Sequence, residues 1–432
     1  MSPTIKPLAT LAPPCNARTW HSTPHPRLPI LATACSDKTA RIYSLATFEQ
    51  QSVIRGGHKR SVRSCAWKSS VGAATSVLAT GSFDASVGIW RRDEEARRDG
   101  ALEVDFTKGL AGGGSEGDEE EEDEEWRFAV VLDGHESEIK SVGFSPVGSL
   151  LATCSRDKTV WVWEELEEDS FETVAVLAEH EGDVKCIAWH PSEECLASGS
   201  YDDHIRVWRE DLDDWACCAV LKNHTGTVWW VEFEGVGRVG RVESADTTAV
   251  ELSEARKEFL ECRAKAGPRI ISCSDDLSIR VWRKLPKEKS TMPTGSGRMP
   301  SIWKNRDFEE EWIEEGRLPQ IHERSVYAVS WSRRTGMVAS TGSDGKVVVY
   351  QERWRAVTKD TNGDAPMTNG DSHAGALTEW VVLAELDNAH DVFEVNHICW
   401  APRADPGKKF EDEEVLVTTG DDGEVKVWCL EE

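Results

Sequence analysis

The sequence predicts an all-β protein, a seven-bladed propeller closed by an N-terminal strand that completes the last blade, and three observations carry that prediction. One stretch repeats: GHESEIKSVGFSPVGSLLATCSRDKTVWVW ends at Trp163, and EHEGDVKCIAWHPSEECLASGSYDDHIRVW ends at Trp208, 45 residues later. In both copies an aromatic (Phe144, Trp189) follows the His by nine residues, an Asp (Asp157, Asp202) follows it by twenty-two, and a Trp follows the Asp by six. Finally, each copy reads as alternating apolar runs, EIKSVGF, LLATCS and TVWVW, with a fourth, FETVAVL, before the next His. Short alternating runs broken by turn residues are the pattern of antiparallel strands.

A 45-residue period with a GH-like start and a Trp near the end is the WD40 signature. The Asp falls in the turn between the second and third strands and the Trp on the third. His, Ser or Thr, Asp and Trp can therefore meet inside each blade as a hydrogen-bond network, which a core tolerates only when every member is satisfied. On that reading the histidines are structural rather than ligands or bases. The Asp-to-Trp spacing extends over the chain as Asp37/Tyr43, Asp84/Trp90, Asp157/Trp163, Asp202/Trp208, Asp276/Trp282, Asp344/Tyr350 and Asp422/Trp428, which makes seven blades. The blades open on His58, His135, His180, His224, His322 and His390. Repeat one has no His in frame, since neither His21 nor His25 stands at the expected distance from Asp37, so its polar network is expected to be missing. The pattern stops at Trp428 with four residues left, and Pro7–Leu11 (PLATL) resembles the fourth strands VAVL and CAVL. Added to blade seven, it would close the ring and remove an exposed edge.

The chain is read as a single propeller over 1–432 with excess segments at 91–126, 235–266, 284–311, 353–378 and 403–413. These follow third strands or separate first from second strands, which puts them all on one face, the bottom. Most are acidic, Gly/Ser-rich or Asn/Gly/Asp-rich and read as loose loops; nine carboxylates lie between Glu116 and Glu125 alone. The exception is 249–263 (AVELSEARKEFLECR), where Leu252, Ala255, Phe259 and Cys262 make one apolar stripe of a short helix that is expected to pack under its own blade.

Composition excludes several classes. A net charge of -27 argues against direct nucleic-acid binding. No run of eighteen apolar residues predicts a membrane span, and MSPTIKPLATLAPPC does not read as a secretory signal. The twelve cysteines contain no C-x-x-C pair, only adjacent Cys217 and Cys218 and single residues such as Cys65, Cys154, Cys186 and Cys273 in strands. They read as small apolar core residues in a reducing compartment, with no metal and no cofactor expected. No nucleophile elbow or phosphate-binding glycine loop stands out, so the chain is not read as an enzyme.

The working face is expected at the top, where the second-to-third and fourth-to-first loops are short. Its residues are the second position of each first strand (Arg63, Lys140, Lys185, Trp229, Tyr327, Asn396) and the position before each blade Asp (Phe83, Arg156, Tyr201, Asp275). Cations interleaved with aromatics are unexpected as solvated surface on so acidic a chain, and both types are usual interface anchors.

The runs LLATCSRDKTVWVWEE, HEGDVKCIAWHPSEECLASGSYDDHIRVWREDLDDW and NHTGTVWW resemble the WD40 subunit of the cytosolic iron-sulfur protein assembly machinery more closely than generic repeats do, through CSRDK, SYDD with its following DDW, and TVW. The resemblance is sharp over 130–232, recognisable over 268–283, 322–350 and 390–430, and absent from the first repeat and the inserts. It implies a non-catalytic scaffold of the targeting complex, in the cytoplasm and also the nucleus. It further implies four kinds of partner: a MIP18-family subunit, a HEAT-repeat subunit, an iron-hydrogenase-like cluster carrier and apo iron-sulfur clients. Arg156, within the matching CSRDK, corresponds to an arginine of that family's functional top surface. Fold alone leaves open a substrate receptor of a ubiquitin ligase or a chromatin-peptide reader.

Overall fold

The computed structural model describes residues 3–69, 72, 74–94, 125–211, 214–238, 242, 254–286, 308–355 and 377–431. Its strands form seven antiparallel four-stranded sheets arranged as blades, six of them simple meanders and the seventh completed by a strand of the N-terminal segment. The first strands are Thr19–Pro24, Val62–Trp67, Ile139–Phe144, Val184–Trp189, Val228–Phe233, Val326–Trp331 and Val395–Pro402, and those of adjacent blades pack on one another around the axis.

Second strands show why these residues make blades. Ile30–Cys35, Leu150–Ser155, Cys195–Ser200 and Ile270–Ser274 are buried at every position, because a neighbouring blade covers each face. Large apolar side chains stand at the first positions of these strands and small Ala, Ser, Thr, Cys or Gly fill the rest, so that adjacent sheets can approach closely. The apolar residues fall into seven clusters, one at each interface between blades, for example Ile42 and Ile54 of blade 1 against Val62, Leu78 and Trp90 of blade 2.

The ring closes through a strand of the N-terminal segment. Thr4–Thr10 pairs antiparallel with Val425–Glu431, from Thr4 opposite Glu431 to Thr10 opposite Lys426, three residues earlier in sequence than PLATL alone indicates. The next two residues stitch both sides of the seam: the Leu11 amide donates to Val425 O at 2.9 Å and the Ala12 amide to Phe48 O at 2.9 Å. Leu11 is wholly buried in the cluster that joins blade 7 to blade 1, beside Leu31, Tyr43, Val417 and Val427.

The inserts depart from expectation in three places. Of 91–126, 284–311 and 353–378, the positions 95–124, 287–307 and 356–376 lie outside the described residues, but the flanks are firmly held. Trp126 is buried and donates to Ser52 Oγ at 2.9 Å, under a guanidinium, Arg92, that lies 4.7 Å over its ring. The 403–413 segment is not a loose loop either: Arg403 is clamped to Asp405 at 2.6 Å and to Glu413 at 2.8 Å.

The helix runs from Glu254 to Ala266, and its buried face is not the apolar stripe read from the sequence. Ala255 and Cys262 are exposed, Leu252 lies outside the described residues, and the helix docks instead through Phe259, Arg263 and Ala266. Phe259 meets Trp354 of blade 6, and Arg263 enters an ionic network. Arg263 reaches Glu352 at 2.6 Å and Glu315 at 3.0 Å; Arg269 grips Glu234 at 2.9 Å and touches Glu315 and Glu352 at 3.0 Å. Burial opposes the charge on Glu352, but Arg269 and Arg263 outweigh it and hold the carboxyl at about 2. The helix thus joins blades 5 and 6 by charge as well as by the Phe259–Trp354 contact, and the charged part is what a hydrophobic-stripe reading misses. Among the described residues no helix is long and apolar enough to cross a membrane.

Two outcomes follow from these features. Deleting residues 1–12 opens the edge of Val425–Glu431 and removes Leu11 from the seam, so differential scanning calorimetry should show a lowered, broadened transition with aggregation, and an unchanged melt would refute closure by this strand. Glu352→Ala leaves two arginines short of a buried partner and should cost about 3 kcal/mol at neutral pH. Because its folded value lies below the unfolded 4.5, Glu352 contributes fully above that pH and progressively less towards pH 2. Urea melts at pH 7 and pH 3 should therefore show the gap between wild type and variant narrowing in acid.

Candidate functional site

The candidate site is the top face, and its geometry is set inside the blades. In blade 4, His180 Nδ1–H donates to Asp202 at 2.8 Å, Ser198 Oγ lies 2.7 Å from His180 Nε2, and Trp208 Nε1–H donates to Ser198 at 2.8 Å. The Glu181 and His204 amides donate to the same carboxylate at 2.9 and 3.0 Å. One Asp thereby ties the loop entering the blade to the turn between its second and third strands. The same chain of contacts links His135, Thr153, Asp157 and Trp163; His224, Ser272, Asp276 and Trp282; and His390, Thr418, Asp422 and Trp428.

Blade 2 is looser, with His58 3.4 Å from Asp84 but 2.8 Å from Thr80, to which Trp90 also donates. In blade 6 His322 meets Asp344 and Ser340, and the buried Tyr350 stands where the other network blades have the indole. Burial opposes ionisation of Asp157, Asp202 and Asp276, yet their histidine bonds hold them well below the usual carboxylate range. Burial also lowers His180 and His224, which favours the neutral imidazole in those two pairs.

Blade 1 has no His at Asp37, as expected, but the position is not vacant. Cys15 stands twenty-two residues before Asp37, the spacing His135 keeps to Asp157, and its Sγ lies 3.3 Å from Asp37 Oδ2. That register was available in the sequence to a search not restricted to histidine.

Two local devices bring side chains out onto the face. In all seven first strands the pairing register shifts across the second residue, a bulge that turns Trp20, Arg63, Lys140, Lys185, Trp229, Tyr327 and Asn396 out of the ladder towards the mouth of the axis. In the second-to-third turns the residue after each Asp takes positive φ, from 65° at Leu277 to 79° at Gly423, and the residue before it donates its amide back to the entering loop, as Arg156 does to Glu138 O at 2.9 Å. Trp20 belongs to this set and was missed by sequence reading, although it stands seventeen residues before Asp37 as Lys140 does before Asp157.

These side chains form a closed belt. The Arg18 guanidinium lies 4.7 Å over Trp20, and Arg63 lies 5.1 Å over the same ring. Trp20 meets Phe83 at 6.0 Å, and Lys140 sits 4.5 Å over Phe83 while paired with Glu138 at 2.7 Å. Arg156 spans two blades, 3.9 Å from Glu138 and 4.0 Å from Asp183, with its side chain 58% exposed. Lys185 pairs with Asp183 at 3.2 Å beneath Tyr201 and Trp229. Trp229 donates to Asp275 and packs 5.2 Å from Tyr327, whose hydroxyl donates to Glu394 at 3.2 Å. Asn396 donates to Asp421, which pairs with Arg18 at 2.7 Å and completes the circuit.

The belt is lopsided. Arg18, Arg63, Lys140, Arg156, Lys185 and Arg60, which lies 6.0 Å over Phe83 and 3.2 Å from Glu138, are on blades 1 to 4, with Asp275 and Glu394 on the far side. Among the described residues Arg63 is the belt cation without a carboxylate partner, and burial lowers its guanidinium to about 10. Tyr201, 63% exposed, covers Lys185 and turns much of its ring to solvent.

The WD domain, G-beta repeat family model matches residues 48–91, 126–164, 171–209 and 317–351. Over nearly the whole chain the protein is similar to fungal proteins named "Probable cytosolic iron-sulfur protein assembly protein 1". The one from Aspergillus flavus is 54% identical across 98% of this chain and 97% of its own length. Those from Phaeosphaeria nodorum and Coccidioides immitis are 53% and 52% identical, each across 99% of this chain and across 96% and 98% of their own lengths.

Replacing Asp202 by Ala strands the His180 Nδ1–H and the Glu181 and His204 amides, at a cost of about 3 kcal/mol. Chemical denaturation of the variant should show that loss, whereas Tyr201→Ala on the same turn should leave stability within about 0.5 kcal/mol.

Proposed function

The chain belongs to the WD-repeat family of the cytosolic iron-sulfur protein assembly protein 1, and on that premise we propose that it is the non-catalytic scaffold of the targeting complex. It takes part in cytosolic iron-sulfur protein assembly, through protein-protein contacts on a propeller. In this reading it helps 4Fe-4S clusters reach apo-proteins of the cytoplasm and nucleus, holding a MIP18-family subunit and a HEAT-repeat subunit and receiving clusters from an iron-hydrogenase-like carrier.

The observation that carries the reading is the belt. A chain of net charge -27 gathers six cations on one sector of its top face, interleaved with Trp20, Phe83, Tyr201 and Trp229. Such a sector suits an acidic peptide segment, because a guanidinium offers a planar fork to a carboxylate while aromatic faces supply rigid contact area. Arg156 is the anchor of choice. Its guanidinium is already aligned by Glu138 and Asp183 yet more than half exposed, so a partner's carboxylate can engage it without rebuilding the blade. Arg63, Lys140, Lys185, Trp229, Tyr327 and Phe83 would frame it.

Arg156→Glu should weaken association with the targeting-complex subunits or with apo-clients by at least about 2 kcal/mol while melting within about 0.5 kcal/mol of wild type. Co-purification of the tagged chain with these partners and the activity of client iron-sulfur enzymes read it out. A folded variant that keeps every partner and matures every client removes the top face from the proposal, and capture of cullin adaptors or histone peptides in place of assembly subunits removes the scaffold reading.

A further inference from the structure

Blade 1 carries a second group of donor atoms, distinct from the belt side chains. Cys15 occupies the place of the blade histidine, and Cys35, two residues before Asp37, occupies the place held by Ser82, Ser155, Ser200 and Ser274 in blades 2 to 5. Both substitutions bring in sulfur, and topology turns the two sulfurs towards one carboxylate. Cys15 Sγ, Cys35 Sγ and an oxygen of Asp37 all lie within 4.8 Å of one another, the one such grouping of three or more candidate ligands among the described residues. Cys15 is 2% exposed and Cys35 fully buried, while the Asp37 side chain, 29% exposed, leaves an approach from the rim.

We propose that Cys15, Cys35 and Asp37 form a zinc site that takes over, at the seam of the ring, the tether that His and Asp supply in the other six blades. A tetrahedral zinc with Zn–S near 2.3 Å and Zn–O near 2.0–2.2 Å needs sulfurs about 3.8 Å apart and S···O separations of about 3.5 Å. The Cys15 Sγ to Asp37 Oδ2 distance is 3.3 Å and all three donor atoms lie within 4.8 Å of one another, so a bound ion would draw Cys35 Sγ in by at most about 1.3 Å. The carboxylate is already oriented from behind: Arg41 donates to Oδ2 at 2.8 Å, and Thr39 donates to Oδ1 through its amide at 3.1 Å and its hydroxyl at 2.6 Å. Outer contacts of this kind fix metal ligands in place. Charge closes as well, since two thiolates and one carboxylate balance a divalent ion plus the Arg41 guanidinium. Two thiols and a carboxylate select a borderline-soft ion over calcium or magnesium. The fourth position would go to a non-protein ligand.

The seam has a need for such a tether. A thiol is a weak donor, so Cys15 without a metal binds Asp37 less firmly than an imidazole does. Yet the segment it anchors joins the closing strand to blade 1, and it is pressed against the last turn of blade 7: the Cys15 amide donates to Gly423 O at 3.2 Å, and a Cβ on Gly423 would lie 2.1 Å from Cys15 O. Binding two protons' worth of thiol as thiolate releases those protons on metal uptake, with no change of oxidation state.

The test uses the full chain, freed of any histidine tag. Elemental analysis should give about one zinc per chain, and the chelated protein titrated with cobalt(II) should develop a thiolate-to-cobalt charge-transfer band of two-thiolate intensity. Cys15→Ser and Cys35→Ser should each lose it, and Cys195→Ser, a buried cysteine of blade 4, should keep it. Chelation should lower the melting temperature of wild type and not of Cys15→Ser. A folded wild type that gives no cobalt band, or a band that survives Cys15→Ser, overturns the site. So does recovery of a Cys15–Cys35 disulfide as the state purified in reducing buffer. Should the serine variants fail to fold, peptide mapping of thiols protected from alkylation in metal-loaded wild type decides: protection of Cys15 and Cys35 together upholds the proposal, and its absence rejects it.

Discussion

One carboxylate per blade governs most of what this chain builds. The Asp of the second-to-third turn accepts from an imidazole and from backbone amides on two different segments, as Asp202 does from His180, Glu181 and His204. A buried charge is costly unless all its bonds are made, and here they can be made only if the entering loop, the turn and the core Ser or Thr are in one arrangement. The network is therefore as much a geometric specification as a source of stability. It sets the turn from which Arg156 and Tyr201 project, and with the bulge in each first strand it fixes where the belt residues stand.

That dependence explains what the sequence disclosed. Strand order, blade number, the network residues and the closing strand could be read because they follow a spacing imposed by those bonds: Asp157, Asp202 and Asp344 each answer a His twenty-two residues back. The belt positions were legible for the same reason. Legibility failed where chemistry replaced pattern. Cys15 and Trp20 keep the register but change residue type, and a search for histidine or for cations passes over them. The Glu254–Ala266 helix was recognised, but its docking face was not, because it binds through Arg263 and the carboxylates of Glu315 and Glu352, which lie far away in sequence. Arg403 holds the 403–413 loop by the same means, where acidic composition alone suggested looseness.

The electrostatics of the two faces differ in kind. Below, opposite charges are buried and consume one another, as Arg269 does with Glu234 and Glu352. Above, several cations share one carboxylate, as Arg60, Lys140 and Arg156 share Glu138, Arg156 stays more than half exposed, and Arg63 is left unneutralised by any described carboxylate. Charges arranged in the first way hold blades together; those arranged in the second way retain capacity to bind. Under the proposed function, a basic sector on a chain of -27 would also orient an approaching acidic segment before contact, an effect that ionic strength weakens.

The closing strand makes the timing of synthesis matter. Thr4 pairs with Glu431, 427 residues further along, so at about 5–20 residues per second the strand emerges roughly 20–85 s before its partner exists. Throughout that interval blade 7 is incomplete and the strand is an unpaired edge on a growing polypeptide. Its sequence, TIKPLAT, suits the wait: Lys6 and Pro7 are residues that discourage edge-to-edge association, and Pro7 is accommodated beside a bulge once Trp428 arrives opposite it. The ring can thus lock only after Val425–Glu431 has been made, and until then Lys6 and Pro7 disfavour pairing of the waiting edge with another strand.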